Sequence, residues 1–123
     1  MNNEPYSVEV LKECIDLQLK KSNDYQNPNS NIKQADHYPR GVATIADMAW
    51  QKMIRIYSLM QAAEENPESS VNFESLGDSA RDAINYLSFF VSYLDEQMDG
   101  LKIGRDMFNR PIQNQTTTAR SEP

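Results

Sequence analysis

Cysteine and histidine are nearly absent from this chain: Cys14 and His37 stand alone among 123 residues. One cysteine excludes an intramolecular disulfide, and one cysteine with one histidine cannot build a structural zinc site. A Ser-His-Asp triad would have to run through His37, and no serine near it carries the marks of an activated nucleophile. Four glycines leave little for a Gly-rich phosphate loop or a series of tight hairpins. No apolar run approaches the roughly 20 residues of a membrane span. The opening stretch MNNEPYSVEV has no basic segment followed by an apolar core, so no secretion signal is expected. With a single thiol, the expected compartment is a reducing cytoplasm. Excess basic charge is also lacking. Twelve Lys and Arg against 18 Asp and Glu give a net charge of -6, a poor match for nucleic-acid phosphates.

What is present suits one small domain. Hydrophobic residues make up 39% of the chain and the mean hydropathy is -0.70, which is polar but sufficient for one core. Three segments carry helical periodicity and none carries a strand alternation. The first spans about Val8 to Lys21, with Val8, Leu11, Ile15 and Leu19 on one face, Cys14 at its edge and Ser7 as N-cap. The second spans Val42 or Thr44 to Ala63. It has one apolar face of Ile45, Ala49, Met53, Ile56, Met60 and Ala63, and a second of Ala46, Trp50, Ile54 and Tyr57. A helix apolar over so wide an arc is central or lies in an oligomer interface. The third spans Phe73 to Met98, with a stripe of Leu76, Ala80, Ala83, Ile84, Leu87, Val91 and Leu94. The expected fold is therefore all-α: a bundle of three main helices plus short extra helical segments, completed by oligomerisation to a dimer or tetramer. Trp50, Ile54, Tyr57 and Phe89 are the expected contacts. Residues 1–101 form the domain and 102–123 a partly disordered C-terminal tail. The long connection from Asn23 to Gly41 has the length of a functional loop and is expected to act as a lid.

Glu74, Asp78, Asp82 and Asn85 follow one another at spacings of 4, 4 and 3 on the third helix, so they share one arc of its surface. A ladder of oxygen donors suits a hard cation, Mg2+ or Mn2+. The same ladder also lies where an amphipathic helix puts its solvated charges, and both readings stand at this point. Lys52 and Arg55, three apart on the second helix, are the matching cations: a phosphate clamp, a partner for the acids, or a snorkelling cover on apolar surface. Asp24 and Tyr25 follow Lys20 and Lys21, and His37 precedes the second helix.

Taken together, Lys-Lys-Ser-Asn-Asp24-Tyr25, then Lys52-x-x-Arg55, then Glu74-Ser-x-x-Asp78-x-x-x-Asp82-x-x-Asn85-Tyr86 resembles small phage proteins of the nucleotide-modification-associated domain type. These resemble in turn the MazG and dimeric-dUTPase group of all-α NTP pyrophosphatases. The resemblance covers roughly residues 8–98. It implies a MazG-like helical protomer that dimerises or tetramerises around a nucleotide. It also implies a Mg2+-dependent hydrolase that cleaves a (d)NTP to (d)NMP and pyrophosphate in the host cytoplasm, without nucleic acid or membrane as partner. On that reading Glu74, Asp78 and Asp82 are catalytic and hold the metal. Lys52, Arg55, Asp24, Tyr25 and Asn85 bind substrate. The chain departs from the MazG group in having Asp47, Gln51, Lys52 and Arg55 where its second helix carries Glu-Glu-x-x-Glu, and Ser79 where a glutamate precedes the aspartate. A non-enzymatic nucleotide or signal-nucleotide binder, or a helical interaction module, is the alternative.

Overall fold

A computed structural model describes residues 3–25, 29–68 and 72–112, with the side chains of 23–25 and 72 excepted. The described chain is all-α, with α1 at Tyr6–Tyr25, α2 at Val42–Glu65 and α3 at Asn72–Leu94. A short 3-10 turn, Gln34–His37, lies between α1 and α2. Among the described residues there is no strand, only a single bridge between Arg105 and Pro111. Among the described residues no helix is long and apolar enough to cross a membrane.

Helix α1 starts directly after Pro5, whose carbonyl accepts from the Val8 amide at 3.0 Å. Proline suits this boundary because the missing N–H would find no helical partner there. Ser7, expected as the cap, lies inside the first turn, and the helix runs four residues beyond Lys21.

Helix α2 begins at Gly41, whose φ of 60° and ψ of -130° suit glycine alone. A Cβ there would collide with the Met107 carbonyl, the group that accepts the Val42 amide at 2.9 Å. The start of α2 is thus capped by the C-terminal segment. Arg40 completes the cap, its amide donating to Thr44 Oγ1 at 2.9 Å.

Helix α3 stops four residues short of the expected Met98. Gln97 N–H donates to the Ser92 carbonyl and Glu96 N–H to that of Tyr93, with Glu96 at φ 60°. This paired pattern is a Schellman terminus. It is hard to read from sequence because the left-handed position holds glutamate rather than glycine. The turn frees Met98 to fold back into the core.

The core lies between the first half of α2 and the last half of α3. Ile45 at its centre is fully buried, with Val42, Tyr93 and Met98 around it. Ala35 and Tyr38 close one end, and Leu101, Met107 and Phe108 pack onto the cluster. Two expectations change here. The second half of the 23–41 connection is anchored, not a free lid, because Ala35 and Tyr38 are core residues and Ala35 N–H donates to the Asp99 carbonyl at 3.0 Å. The first part of the expected tail is docked: Asn109 Nδ2 donates to the Pro39 carbonyl at 3.1 Å. Residues 113–123, the rest of that tail, lie outside the described residues. The turn 105–110 is organised by Asp106, whose carboxylate accepts from the Phe108 and Arg110 amides at 2.9 Å and from Arg110 Nε at 3.0 Å. Burial raises the Asp106 pKa, but those donors and the Arg110 charge outweigh it and hold the carboxyl below its ordinary range.

The apolar faces divide unexpectedly. On α2 the Ile45–Ala49 face packs inward, as its period requires, while Trp50, Ile54 and Tyr57 are exposed. On α3 the expected stripe contributes only Ala83 to the buried set, and Leu87, Val91 and Leu94 are exposed. Tyr86, Phe89, Phe90 and Tyr93 do the packing instead. Phe89 is therefore a core contact rather than part of the exposed face. On α1 the whole of Leu11, Ile15 and Leu19 faces solvent, and the buried residue is Cys14.

Glutamate at the left-handed position ending α3 carries a Cβ penalty of about 1 kcal/mol that glycine does not. Glu96→Gly is expected to raise stability by about that amount, read as a higher denaturation midpoint at unchanged slope. A lower midpoint would show that the Glu96 side chain stabilises the turn by more than the backbone strain it imposes.

Candidate functional site

Asp82 occupies the point where the three helices meet. Its Oδ2 lies 3.0 Å from Lys52 Nζ of α2, and its Oδ1 lies 3.7 Å from Lys21 Nζ of α1. The Lys52 and Asp82 side chains are 30% and 27% exposed, and Lys21 is 56% exposed. The Lys52 pair is therefore the more enclosed of the two, and Lys21 is the looser partner.

Beside this junction runs a row of polar contacts between α1 and α3. The Arg81 guanidinium meets Glu13 Oε2 through Nε at 3.2 Å and Nη2 at 3.1 Å. Asn85 Nδ2 donates to the Cys14 carbonyl, and Asn85 Oδ1 accepts from Gln18 Nε2, both at 3.2 Å. Gln18 Nε2 also donates to Ser88 Oγ at 3.0 Å. Arg81, Asn85 and Ser88 are spaced by 4 and 3, so one face of α3 presents them all to α1. The Cys14 thiol is enclosed in this seam, and burial pushes its pKa up.

On the outer side of Lys52, α2 lines an open groove of about 440 Å³ with Gln51, Lys52, Ile54, Arg55, Ser58 and Leu59. Arg55 is exposed and has no ion-pair partner among the described residues. The groove thus offers two cations, an amide and a hydroxyl over an apolar floor. Such a lining suits a multiply charged anion carrying an apolar or aromatic portion.

The sequence-derived candidates separate into groups. Lys52, Arg55 and Asp82 come together around the groove and the junction. Asn85 is brought close as well, but its amide is spent on joining α1 to α3. Glu74 and Asp78 are exposed on the earlier turns of α3, with no cation against either among the described residues. The side chains of Asp24 and Tyr25 lie outside the described residues. His37 sits in the 3-10 turn, before the start of α2, and about 15 Å of helix separates Val42 from Lys52. Among the described residues no group of three or more His, Cys, Asp or Glu side chains stands close enough to hold a metal ion. Asp82 is already neutralised by two ammonium groups. The described side chains of this arrangement do not by themselves gather a divalent-cation site.

Glu13, Gln18, Lys21 and Arg81 are the residues that sequence reasoning did not place in the site. Their signal was a set of polar residues on α1 at 13, 18 and 21 and a matching one on α3 at 81, 85 and 88. Either face alone looks like a solvated surface. Comparison with protein-family models, with curated proteins and with solved structures finds no match for this chain.

The two junction residues of α3 are expected to differ in energetic weight. Asn85→Ala removes two hydrogen bonds across a part-buried seam, to the Cys14 carbonyl and from the Gln18 amide, and should cost about 1–3 kcal/mol. Asp82→Asn removes a partner from two partly exposed lysines and should cost no more than about 1 kcal/mol. Denaturant melts of the two variants check this order, and the reverse order would contradict it.

Proposed function

We propose that this protein binds nucleoside phosphates, with the phosphate chain in the α2 groove against Lys52 and Arg55. The observation that carries this reading is the pairing of an uncommitted Arg55 with a part-buried Lys52 in one groove of an otherwise acidic chain. A guanidinium with five fixed donors and a compact ammonium recognise a polyphosphate by different geometries, and together they favour more than one phosphoryl group. Gln51 and Ser58 add neutral hydrogen-bonding groups, and Leu59 adds apolar surface for a base or sugar. A nucleotide pool and a reduced thiol coexist in the cytoplasm, the host's if the chain is phage-borne.

The test is a thermal-shift and calorimetric screen of common ribo- and deoxyribonucleoside mono-, di- and triphosphates. The expected result is stabilisation that grows with phosphate number, as binding to the folded state requires. Arg55→Ala should weaken binding tenfold or more, the scale of one lost charge-assisted contact of about 1.5–3 kcal/mol. Its melting temperature should hardly move. Equal response to a nucleoside without phosphates, or unchanged binding by Arg55→Ala, would contradict the reading.

A second reading is Mg2+-dependent pyrophosphohydrolysis of a (d)NTP on the same groove, with Glu74, Asp78 and Asp82 as metal holders and Asp24 and Tyr25 at the base or sugar. It is favoured by the two carboxylates, Glu74 and Asp78, that stand without cations on the same helix as Asp82. Metal binding would require Asp82 to exchange its lysines for the ion. The same screen with Mg2+ or Mn2+, assayed for pyrophosphate and monophosphate, distinguishes hydrolysis from binding alone.

Self-association belongs to this account. Trp50, Ile54 and Tyr57 leave an exposed apolar stripe on α2, and Leu87, Val91 and Leu94 leave another on α3. Residues 113–123, QNQTTTARSEP, hold no large apolar side chain with which to cover either. Stripes of this kind on a soluble chain mark contact surfaces. The α2 stripe carries no charge, so a second copy of an acidic chain can meet it without like-charge repulsion. Trp50 is the sole tryptophan and reports on this directly. Its emission should shift to longer wavelength on dilution, in step with a fall in scattering mass towards 14.1 kDa. A mass of one chain at micromolar concentration, with emission already at the solvent-exposed wavelength, would remove the oligomer.

A further inference from the structure

Two helices dock on α3 by different means. Helix α2 does so through the hydrophobic core, to which it contributes Val42, Ile45 and Met48. No side chain of α1 belongs to that core cluster. Instead α1 is held by Glu13–Arg81, by the Cys14–Asn85–Gln18–Ser88 row and by Lys21–Asp82. Its apolar residues Leu11, Ile15 and Leu19 are exposed, and its buried apolar contribution is small: Cys14, with Val10 and Leu17 half-buried. Among the described residues no hydrogen bond or ion pair joins α1 directly to α2. The nearest link is indirect, through the one Asp82 carboxylate that Lys21 and Lys52 share. A helix docked by partly exposed polar contacts separates from its neighbours more easily than one docked by a core.

We infer that α1 is a strap whose closure is coupled to the anion in the α2 groove. This rests on the reading of that groove as a phosphate site. Lys52, Lys21, Arg55 and Asp82 together carry an excess of two positive charges when no anion is present. A polyphosphate seated on Lys52 and Arg55 brings several negative oxygens beside the junction. Lys21, the more exposed and more distant of the two ammonium groups on Asp82, turns to the phosphate. The ligand then bridges α1 to α2 directly, beside the indirect link through Asp82. Asp82 keeps Lys52 at its side and is open enough to hydrate its freed oxygen. Occupancy of the groove therefore tightens α1, and α1 in place tightens the hold on the ligand, as reciprocal coupling requires.

Cys14 is a built-in reporter of this motion. It is the only cysteine, it is 2% exposed, and its thiol faces the Arg81 carbonyl in the α1–α3 seam. Alkylation of Cys14 requires α1 to lift. The experiment measures the rate of Cys14 labelling by iodoacetamide with and without saturating inorganic pyrophosphate, in the wild type and in Lys21→Ala, with pyrophosphate binding by each followed by calorimetry. The expected result is about tenfold slower labelling of the wild type with pyrophosphate, the factor of one charge-assisted contact. Lys21→Ala should still bind pyrophosphate through Lys52 and Arg55, more weakly, and show no slowing. Two outcomes overturn the coupling while leaving the groove as a phosphate site: binding by wild type with labelling unchanged or faster, and equal slowing in Lys21→Ala. Absence of pyrophosphate binding in the wild type overturns the site itself, and the coupling with it.

Discussion

The unequal docking of two helices on α3 is the constraint from which the rest of this structure follows. Helix α2 buries aliphatic side chains against the aromatic face of α3, and each such side chain stabilises by about 1.5–3 kcal/mol. Helix α1 meets the same α3 through charges and amides, each contributing about 0.5–1.5 kcal/mol or less where exposed. The two-helix core, closed by residues 35–38 and 98–108, therefore carries most of the stability of a single chain. Helix α1 is an addition to it, fixed in register by matched polar groups and burying little beyond Cys14.

That division also puts charge where it can act. Asp82 and Lys52 stay only partly exposed because α1, α2 and α3 converge on them, yet they are open enough for their partners to exchange. A buried ion pair would be costly to rearrange, and a fully exposed one would have little effect on its surroundings. The intermediate burial of this junction, next to an uncommitted arginine, is what makes it a plausible place to recognise an anion. The apolar stripes of α1 and α3 stay outside this junction. They are long and uncharged over several turns, and no described segment of the chain lies over them.

Much of this was legible in the residues, though unevenly. The three helices followed from apolar periodicity, and α2 was placed within two residues of its observed end. Which apolar stripe faces inward did not follow. On α3 the aliphatic stripe and the Tyr86–Phe90–Tyr93 face are both apolar, and period alone cannot rank them. The end of α3 was missed because its Schellman turn uses Glu96 where glycine would have signalled it. The docking of residues 102–112 was missed because Met107 and Phe108 are isolated apolar residues among turn formers, without a period. In the candidate site, Lys52 was read as a phosphate clamp or a partner for the acids, and Asp82 as a metal ligand, without a means of choosing which acid Lys52 meets. Their pairing is a tertiary fact. The polar row on α1 was invisible for a related reason: Gln18 and Lys21 differ from solvated residues only in having α3 opposite them.

Native-state hydrogen exchange, resolved by residue, tests the unequal docking most directly. The account predicts that amides in the middle of α1 exchange through a partial opening of lower free energy, while α2 and α3 amides around Ile45 and Tyr93 exchange only through global unfolding. The α1 amides should also share one denaturant dependence shallower than that of the core amides. Equal protection of α1 and the core, with the same steep dependence, would contradict it and show that α1 is a full member of the cooperative unit.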